Sequence, residues 1–127
     1  MISLSPVTWE DIQTYFVDFQ KKSKVFELPP EEDQAYFIGI YNDSQFIGYY
    51  IMVPHNDAEI EIRQGYLTRN NRHLDLPKQC MAELERLCKL AGYKTIALSA
   101  GSRFKAYLKF AKSLGYKPVA LEFTKEL

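Results

Sequence analysis

The sequence predicts an α/β (α+β) domain with the element order β-α-β-β-β-α-β-α-β and a mixed, mostly antiparallel central sheet flanked by helices. Three observations lead to this prediction. Three strand-like segments follow one another between residues 34 and 67, a long amphipathic helix comes next, and a strand, a helix and a last strand close the chain. Strands joined by short turns pair in an antiparallel manner. Because 127 residues is a common size for one domain, we expect a single domain over residues 1–127.

The first part of the chain predicts a strand, a helix and a loop. Ile2, Leu4 and Val7 predict a short opening strand. Thr8, with Asp11 three residues later, predicts a helix N-cap, and the helix covers about 8–24. The prolines within 28–33 cannot continue a helix, because each lacks a backbone donor and restricts the residue before it. We therefore expect a connecting loop there.

The next segment predicts an antiparallel meander. Residues 34–41 and 45–53 are rich in aromatic and β-branched residues, and the Asn42-Asp43-Ser44 segment between them is typical of a hairpin turn. Residues 58–67 predict a third strand with one charged face. The charged face carries Glu59, Glu61 and Arg63, and the opposite face carries Ile60, Ile62 and Gln64.

The last part of the chain predicts two helices and two strands. Apolar residues at 76, 80, 84, 87, 88 and 91 trace one stripe of a long helix that ends at Gly92. Residues 95–99 predict a short strand, Ser102 is placed to cap the next helix, and that helix ends at Gly115. Val119, Leu121 and Phe123 alternate as in one final strand.

Composition and charge narrow the classes of function. Sixteen basic and sixteen acidic residues cancel, which disfavours nucleic acid and anionic lipid as partners. The longest apolar run is too short to span a bilayer and the first residues do not resemble a signal peptide, so we expect a soluble cytoplasmic protein without a membrane partner. Cys80 and Cys88 lie about 12 Å apart on one predicted helix, which predicts reduced core cysteines.

Glu59 and Glu61 are the candidate catalytic carboxylates. A carboxylate on this strand can act as the general base that deprotonates an amine. The alternative is a solvated strand face, on which Glu61 and Arg63 form exposed ion pairs that stabilise the fold by about a few tenths of a kcal/mol.

The loop after the third meander strand carries a basic cluster. Arg69, Arg72 and Lys78 lie close together in the sequence, with two asparagines among them. Such a cluster contacts phosphate groups or is a solvated loop. His55 in a turn and His73 in this loop have no second His or Cys at ligand spacing, so the sequence predicts surface histidines and no metal site.

The order of elements resembles the GNAT superfamily of N-acetyltransferases over essentially the whole chain. In that fold, the helix after the fourth strand carries the acyl-CoA site, and a helix after the fifth strand precedes a closing strand. The segment Phe110-Ala111-Lys112-Ser113-Leu114-Gly115-Tyr116 is similar to the aromatic, basic and Leu-Gly-aromatic ending of that later helix. The resemblance implies acetyl-CoA as the cofactor and an amine as the acceptor substrate.

The turn into the long helix departs from the family motif, which is Gln or Arg, two residues, Gly, one residue, then Gly or Ala. The segment Arg72-His73-Leu74-Asp75-Leu76-Pro77 keeps the arginine and lacks the glycines. Amides at a helix N-terminus bind diphosphate, and we predict that the Asp75 carboxylate accepts these N–H bonds itself while Pro77 removes one donor. The resemblance implies these cofactor contacts: Tyr66, Leu67, Arg72, His73, Leu74, Asp75 and Lys78.

The resemblance also implies a tyrosine four residues before the glycine of the Leu-Gly-aromatic ending, where it protonates the leaving thiolate of CoA. That position holds Ala111. Tyr107, one turn earlier on the same helix face, is either a replacement acid or a packing aromatic residue.

Two functions of different classes follow. The first is an acyl-CoA-dependent N-acyltransferase, in which backbone groups near the end of the fourth strand polarise the thioester carbonyl and Glu59 or Glu61 assists attack by the amine. The second is a catalytically inactive GNAT-like domain that serves as a protein-interaction or structural module, as in a phage virion. Candidate exposed aromatic residues for a protein interface, including that of a homo-oligomer, are Tyr49, Tyr50 and Tyr66.

Overall fold

The computed structural model describes residues 1–23, 34–72, 75–99, 105–119 and 122–127, so the predicted loop over 28–33 and the cap at Ser102 lie outside the described residues. The helices are α1 (Trp9–Ser23), α2 (Leu76–Leu90) and α3 (Lys105–Ser113). The strands are β1 (Ile2–Pro6), β2 (Tyr36–Asn42), β3 (Gln45–Pro54), β4 (Glu59–Leu67), β5 (Thr95–Ser99), β6 (Lys117–Val119) and β7 (Glu122–Glu126). Among the helices described, none has the length and apolar character needed to cross a membrane.

The seven strands found in the described residues form one sheet in the order β1-β2-β3-β4-β5-β7-β6. Neighbours among these strands are antiparallel except for the parallel pair β4 and β5, which α2 connects. A parallel pair needs such a crossover, because the chain must return to the same end of the sheet. The predicted α/β architecture with a mixed, mostly antiparallel sheet is therefore confirmed.

The end of the chain differs from the sequence prediction. Residues around 119–123 do not form one final strand, because β6 and β7 are separate antiparallel strands and β7 lies between β5 and β6. Alternation of apolar residues continues through both arms of such a pair, so it does not reveal where the chain reverses.

Local side-chain chemistry sets the start of α1 and the first hairpin. The Thr8 backbone N–H donates to Asp11 Oδ2 at 2.9 Å, and the Asp11 N–H donates to Thr8 Oγ1 at 3.3 Å, which is the predicted reciprocal cap. Between β2 and β3, Asp43 and Ser44 both have positive φ, at 49° and 71°. This conformation matches the twist of a two-residue hairpin turn, so the predicted turn is confirmed as well.

Glycines end α2 and α3 at the predicted positions. Gly92 has φ +98° and Gly115 has φ +88°, a left-handed conformation that a side chain disfavours. The N–H groups after them reach back to the helices, from Tyr93 to the Cys88 carbonyl and from Tyr116 to the Ala111 carbonyl. These bonds satisfy carbonyls that would otherwise lack partners at the helix ends.

Two apolar cores lie on the two faces of the sheet. The core beneath α2 and α3 includes Ile40, Tyr50, Met52, Ile60, Ile62, Cys80, Leu84, Ile96, Leu98, Ala111 and Tyr116. The core beneath α1 includes Ile12, Phe16, Phe37, Tyr49 and Ile51. The sheet is therefore covered on both faces, which fixes its register on each side.

Both cysteines are free and buried in α2, as predicted. Burial raises the pKa of Cys80 to about 11 and that of Cys88 to about 11, because an apolar environment disfavours the thiolate. Both thiols are thus protonated at neutral pH and act as small apolar core residues.

Glu85 ties α2 to the C-terminal part of the sheet. Its Oε2 accepts a 3.1 Å hydrogen bond from the hydroxyl of Tyr116, a residue only 2% exposed, and its Oε1 accepts one from Lys125 Nζ at 2.8 Å. Burial and the adjacent Glu85 carboxylate raise the pKa of the Tyr116 phenol, so the hydroxyl remains a donor. One carboxylate thereby links α2 to Tyr116, which lies between α3 and β6, and to β7.

We expect Glu85→Ala to lower the free energy of unfolding by roughly 2–3 kcal/mol, because it leaves the buried Tyr116 hydroxyl without its acceptor. Urea denaturation followed by circular dichroism measures this loss. Glu83→Ala on the same helix is the matched control, since Glu83 pairs with the exposed Arg86 side chain. Equal losses for the two variants would contradict the anchoring role of Glu85.

Candidate functional site

The strands β4 and β5 separate partway along the sheet. Their pairing runs from Glu59 opposite Thr95 to Ile62 opposite Leu98. β4 continues to Leu67 and stays paired with β3 on its other side, and in the described residues its last five positions have no partner on β5. A gap therefore opens in the sheet beyond Ile62.

A bulge at Arg63 lies at the start of this gap. Ile51 of β3 pairs with Gln64, and the next residue, Met52, pairs with Ile62, so Arg63 is the extra residue on β4. From the bulge onward, residues of β4 point to the opposite side of the sheet from the one that strict alternation predicts. Gln64 therefore lies on the α1 side, where it accepts a 2.6 Å hydrogen bond from the Tyr49 hydroxyl. The prediction that Gln64 shares a face with Ile62 was wrong, because a bulge breaks the period of two.

A cavity of about 300 Å³ occupies the gap. Its lining combines residues from both faces of the sheet, including Phe19 of α1 and Met81 of α2, so the cavity passes through the sheet. Among the described lining residues, Arg72 is the one charged residue, and the others are apolar residues, tyrosines and Gly65. These lining residues are Phe19, Ile40, Tyr50, Ile62, Gly65, Tyr66, Leu67, Arg72, Pro77, Met81, Leu98, Phe110 and Leu114.

Arg72 folds back over the end of β4. Its Nε donates to the Leu67 carbonyl oxygen at 2.6 Å, and its guanidinium lies 5.2 Å from the centre of the Tyr66 ring. The predicted contacts Tyr66, Leu67 and Arg72 thus lie together at one mouth of the cavity. A fixed cation at that position favours an anionic ligand group.

The N-terminus of α2 lies beside the same mouth, since Pro77 lines the cavity. Asp75 occupies the N-cap position, but its carboxylate makes no capping hydrogen bond. The prediction that this side chain occupies the helix amides was wrong, because Asp75 has helical backbone angles, φ −87° and ψ 0°, whereas a side-chain cap needs an extended N-cap residue. Only its carbonyl takes part, accepting from Gln79 N–H at 3.0 Å.

The structure describes the other predicted cofactor and catalytic residues only in part. Lys78 is exposed in the first turn of α2. His73 and Leu74 lie outside the described residues, and Tyr107 is on α3 with a side chain outside them as well. Ala111 is fully buried, so a tyrosine at that position would have no room without rearrangement of the core.

Glu61 is a buried carboxylate whose partners include an arginine and a histidine. It is 5% exposed and lies next to Ile62, the last residue of β4 paired with β5. Its Oε2 accepts from Arg63 Nε at 3.0 Å, and its Oε1 lies 2.7 Å from His55 Nε2. The solvated-face interpretation is therefore wrong for Glu61, while Glu59 is half-buried.

His55 bridges the two candidate carboxylates. Its Nδ1 lies 2.7 Å from Glu59 Oε2, while Nε2 faces Glu61. Hydrogen bonds to Glu59 and then Glu61 raise the pKa of His55 above its ordinary value near 6.5. Sequence reasoning placed His55 at the surface without a role. The available signal was weak, namely a histidine in the turn directly before a strand with two acidic residues on one face.

The tyrosines proposed for an exposed interface are placed differently. Tyr49 is 0% exposed and Tyr50 is 6% exposed, so the prediction was wrong for both. They lie on a central strand covered on both faces, where aromatic side chains belong to the cores. Tyr66 is half-buried and stacks on Tyr49, with ring centres 5.3 Å apart.

Comparison with known proteins gives matches in structure alone. No family model and no curated protein matches the sequence. The PaiA N-acetyltransferase from Thermoplasma acidophilum, solved with coenzyme A, has a TM-score of 0.72 and 17% identity over 100% of this chain and 99% of that one. A GNAT family acetyltransferase from Elizabethkingia anophelis with acetyl-CoA bound has a TM-score of 0.74 and 13% identity over 99% and 98%.

A third match is the IAA acetyltransferase from Bacillus cereus, with a TM-score of 0.78 and 10% identity over the whole of both chains. Identities this low are evidence of shared architecture and not of shared activity. The element order, the single parallel strand pair and these matches agree with the resemblance noted in the sequence. The chain has the fold of the GNAT acetyltransferases.

Proposed function

We propose that this chain is an acyl-CoA-dependent N-acyltransferase that transfers an acyl group from CoA to an amine. The observation that carries the proposal is the cavity through the sheet where β4 and β5 separate, with the buried Glu61 carboxylate next to its edge. Similar structures with coenzyme A or acetyl-CoA bound support the same cofactor here.

Two parts of the site suit two parts of CoA. The apolar cavity suits the acyl group and the pantetheine arm, and the free edge of β4 near Tyr66 and Leu67 offers backbone groups to the amides of that arm. The diphosphate has Arg72 and the first amides of α2, those of Leu76 and Lys78, as partners. Bound CoA would supply an activated thioester carbonyl.

The turn before α2 is the less favourable part of the site. Asp75 is exposed and leaves the amides available, but its negative charge repels a diphosphate. Pro77 has no N–H to donate. His73 and Leu74 precede Asp75 in the same turn and stay candidate contacts.

Glu61 is the proposed general base. It accepts the proton of the attacking amine, and its burial, its hydrogen bond from Arg63 and its contact with His55 hold the carboxylate in place. Glu59 is the second carboxylate, bound to the far side of His55. Tyr107 is the proposed donor to the leaving thiolate, since Ala111 has no proton to give.

A second candidate is a GNAT-like domain that binds partners without catalysis. The observations that favour it are Ala111 in the core and the Asp75 and Pro77 pair at the start of α2. Such a domain would release no CoA from acetyl-CoA with any amine.

We expect acetyl-CoA to stabilise the protein against heat. A ligand present at a hundred times its dissociation constant adds about 2.7 kcal/mol to the free energy of unfolding. Differential scanning fluorimetry with acetyl-CoA, CoA and pantetheine measures the shift, and pantetheine separates the contribution of the cavity from that of the diphosphate contacts. No shift with acetyl-CoA or CoA at millimolar concentration would reject the proposed function.

Asp75→Asn should bind CoA several-fold more tightly than the wild type, because the substitution removes the negative charge beside the diphosphate. It breaks no capping hydrogen bond, since the Asp75 carboxylate makes none. Isothermal titration calorimetry measures the affinity. Asp57→Asn is the control for net charge, since Asp57 precedes the opposite end of β4 and is exposed. Equal affinities for wild type and Asp75→Asn would show that the carboxylate does not limit binding.

Glu61→Gln should lower kcat by roughly 10²–10⁴-fold with little change in acetyl-CoA affinity, because the amide keeps the shape and cannot accept the proton. Release of CoA thiol, followed with a panel of amines, measures the rate. Arg63→Gln serves as the comparison, since it removes a partner of Glu61 and leaves the carboxylate. A Glu61→Gln variant with wild-type kcat would remove Glu61 from the mechanism.

A further inference from the structure

Glu61, His55 and Glu59 form a continuous hydrogen-bonded line from the interior to the surface. Glu61 is buried, whereas the side chains of His55 and Glu59 are 30% and 29% exposed. Both steps of the line are 2.7 Å between heavy atoms, which is the distance of a strong charge-assisted hydrogen bond.

The ends of this line have different surroundings. Glu61 lies between Val53 of β3 and Ala97 of β5 in the sheet, and neither neighbour is ionisable. Its second oxygen accepts a hydrogen bond from Arg63 Nε. His55 Nε2 lies 2.7 Å from Glu61 Oε1, within the distance needed to accept a proton from it.

We propose that His55 is a proton relay that discharges Glu61 through solvent-facing Glu59. The relay uses the neutral imidazole with its proton on Nδ1, so that Nε2 can accept. The proton taken from the amine passes from Glu61 Oε1 to His55 Nε2, and the proton on His55 Nδ1 passes to Glu59 Oε2 and from there to water. Proton exchange with solvent then returns His55 to the tautomer with its proton on Nδ1. One N–H bond of the amine is broken, one proton enters the solvent, and Glu61 is again a carboxylate.

This inference rests on the proposed acyltransferase activity, and it uses the neutral imidazole, because an imidazolium has a proton on both ring nitrogens and cannot accept another. The charged groups that act on it are Glu59 and Glu61, and hydrogen bonds to them raise the pKa of His55. Because the folded-state value is raised, the interaction stabilises the fold below about pH 6.5 and is lost as pH rises through the raised value.

The test compares pH profiles and proton titrations of the same variants. We expect His55→Gln to lower kcat roughly 10-fold or more and to remove one ionisation from the kcat profile, with the acetyl-CoA dissociation constant unchanged. His55→Ala should regain part of its kcat when imidazole is added to the buffer, which a structural role alone does not explain. A His55→Gln variant with the wild-type kcat profile would overturn the proposal.

The coupling can be measured without turnover. The chain has two histidines, so the NMR signal of the His55 ring is assigned by comparison with His73→Gln. Glu61→Gln should lower the His55 pKa, and so should Glu59→Gln. An unchanged His55 titration in Glu61→Gln would overturn the relay even if the enzyme is active. If the His55 pKa falls in Glu61→Gln and Glu59→Gln but the protein releases no CoA from acetyl-CoA, the result would support the proton path and reject the proposed acyl transfer.

Discussion

The loss of pairing between β4 and β5 is the constraint on which the candidate site depends. A parallel ladder that ended at the last residue of β4 would close the sheet and fill the space that the cavity occupies. Pairing with β5 ends at the residue before the bulge at Arg63, and a bulge generally increases the local twist of its strand. The two helices on one face and α1 on the other then supply the walls, because each already packs on an apolar side of the sheet.

The same region combines two electrostatic environments. At the far end of β4, Arg72 and the start of α2 favour a negatively charged group, with Asp75 as the opposing charge. On the α1 side, the Glu61 carboxylate is buried, and its contacts with Arg63 and His55 offset part of the cost of burying it. Groups that bind an anion and a group that accepts a proton thus lie at different positions along β4. Acyl transfer from a CoA thioester to an amine needs both kinds of group.

The fold was largely predictable from the sequence, and the site only in part. Local rules placed the Thr8 cap, the Asp43-Ser44 turn and the glycines that end α2 and α3, since each depends on residues next to one another. The contact of His55 with Glu61 and the bulge at Arg63 depend on strand register, which a period of two does not encode. Asp75 shows the remaining difficulty, because its residue type favours capping and its backbone angles do not.

The two buried thiols of α2 have a practical consequence. Their raised pKa values and their burial make them poor nucleophiles toward maleimides at neutral pH. A single cysteine introduced on an exposed position of α2, such as Lys78, would therefore react selectively in the otherwise wild-type chain. A fluorophore attached there would lie near the mouth of the cavity, and Cys80 and Cys88 would not have to be replaced first.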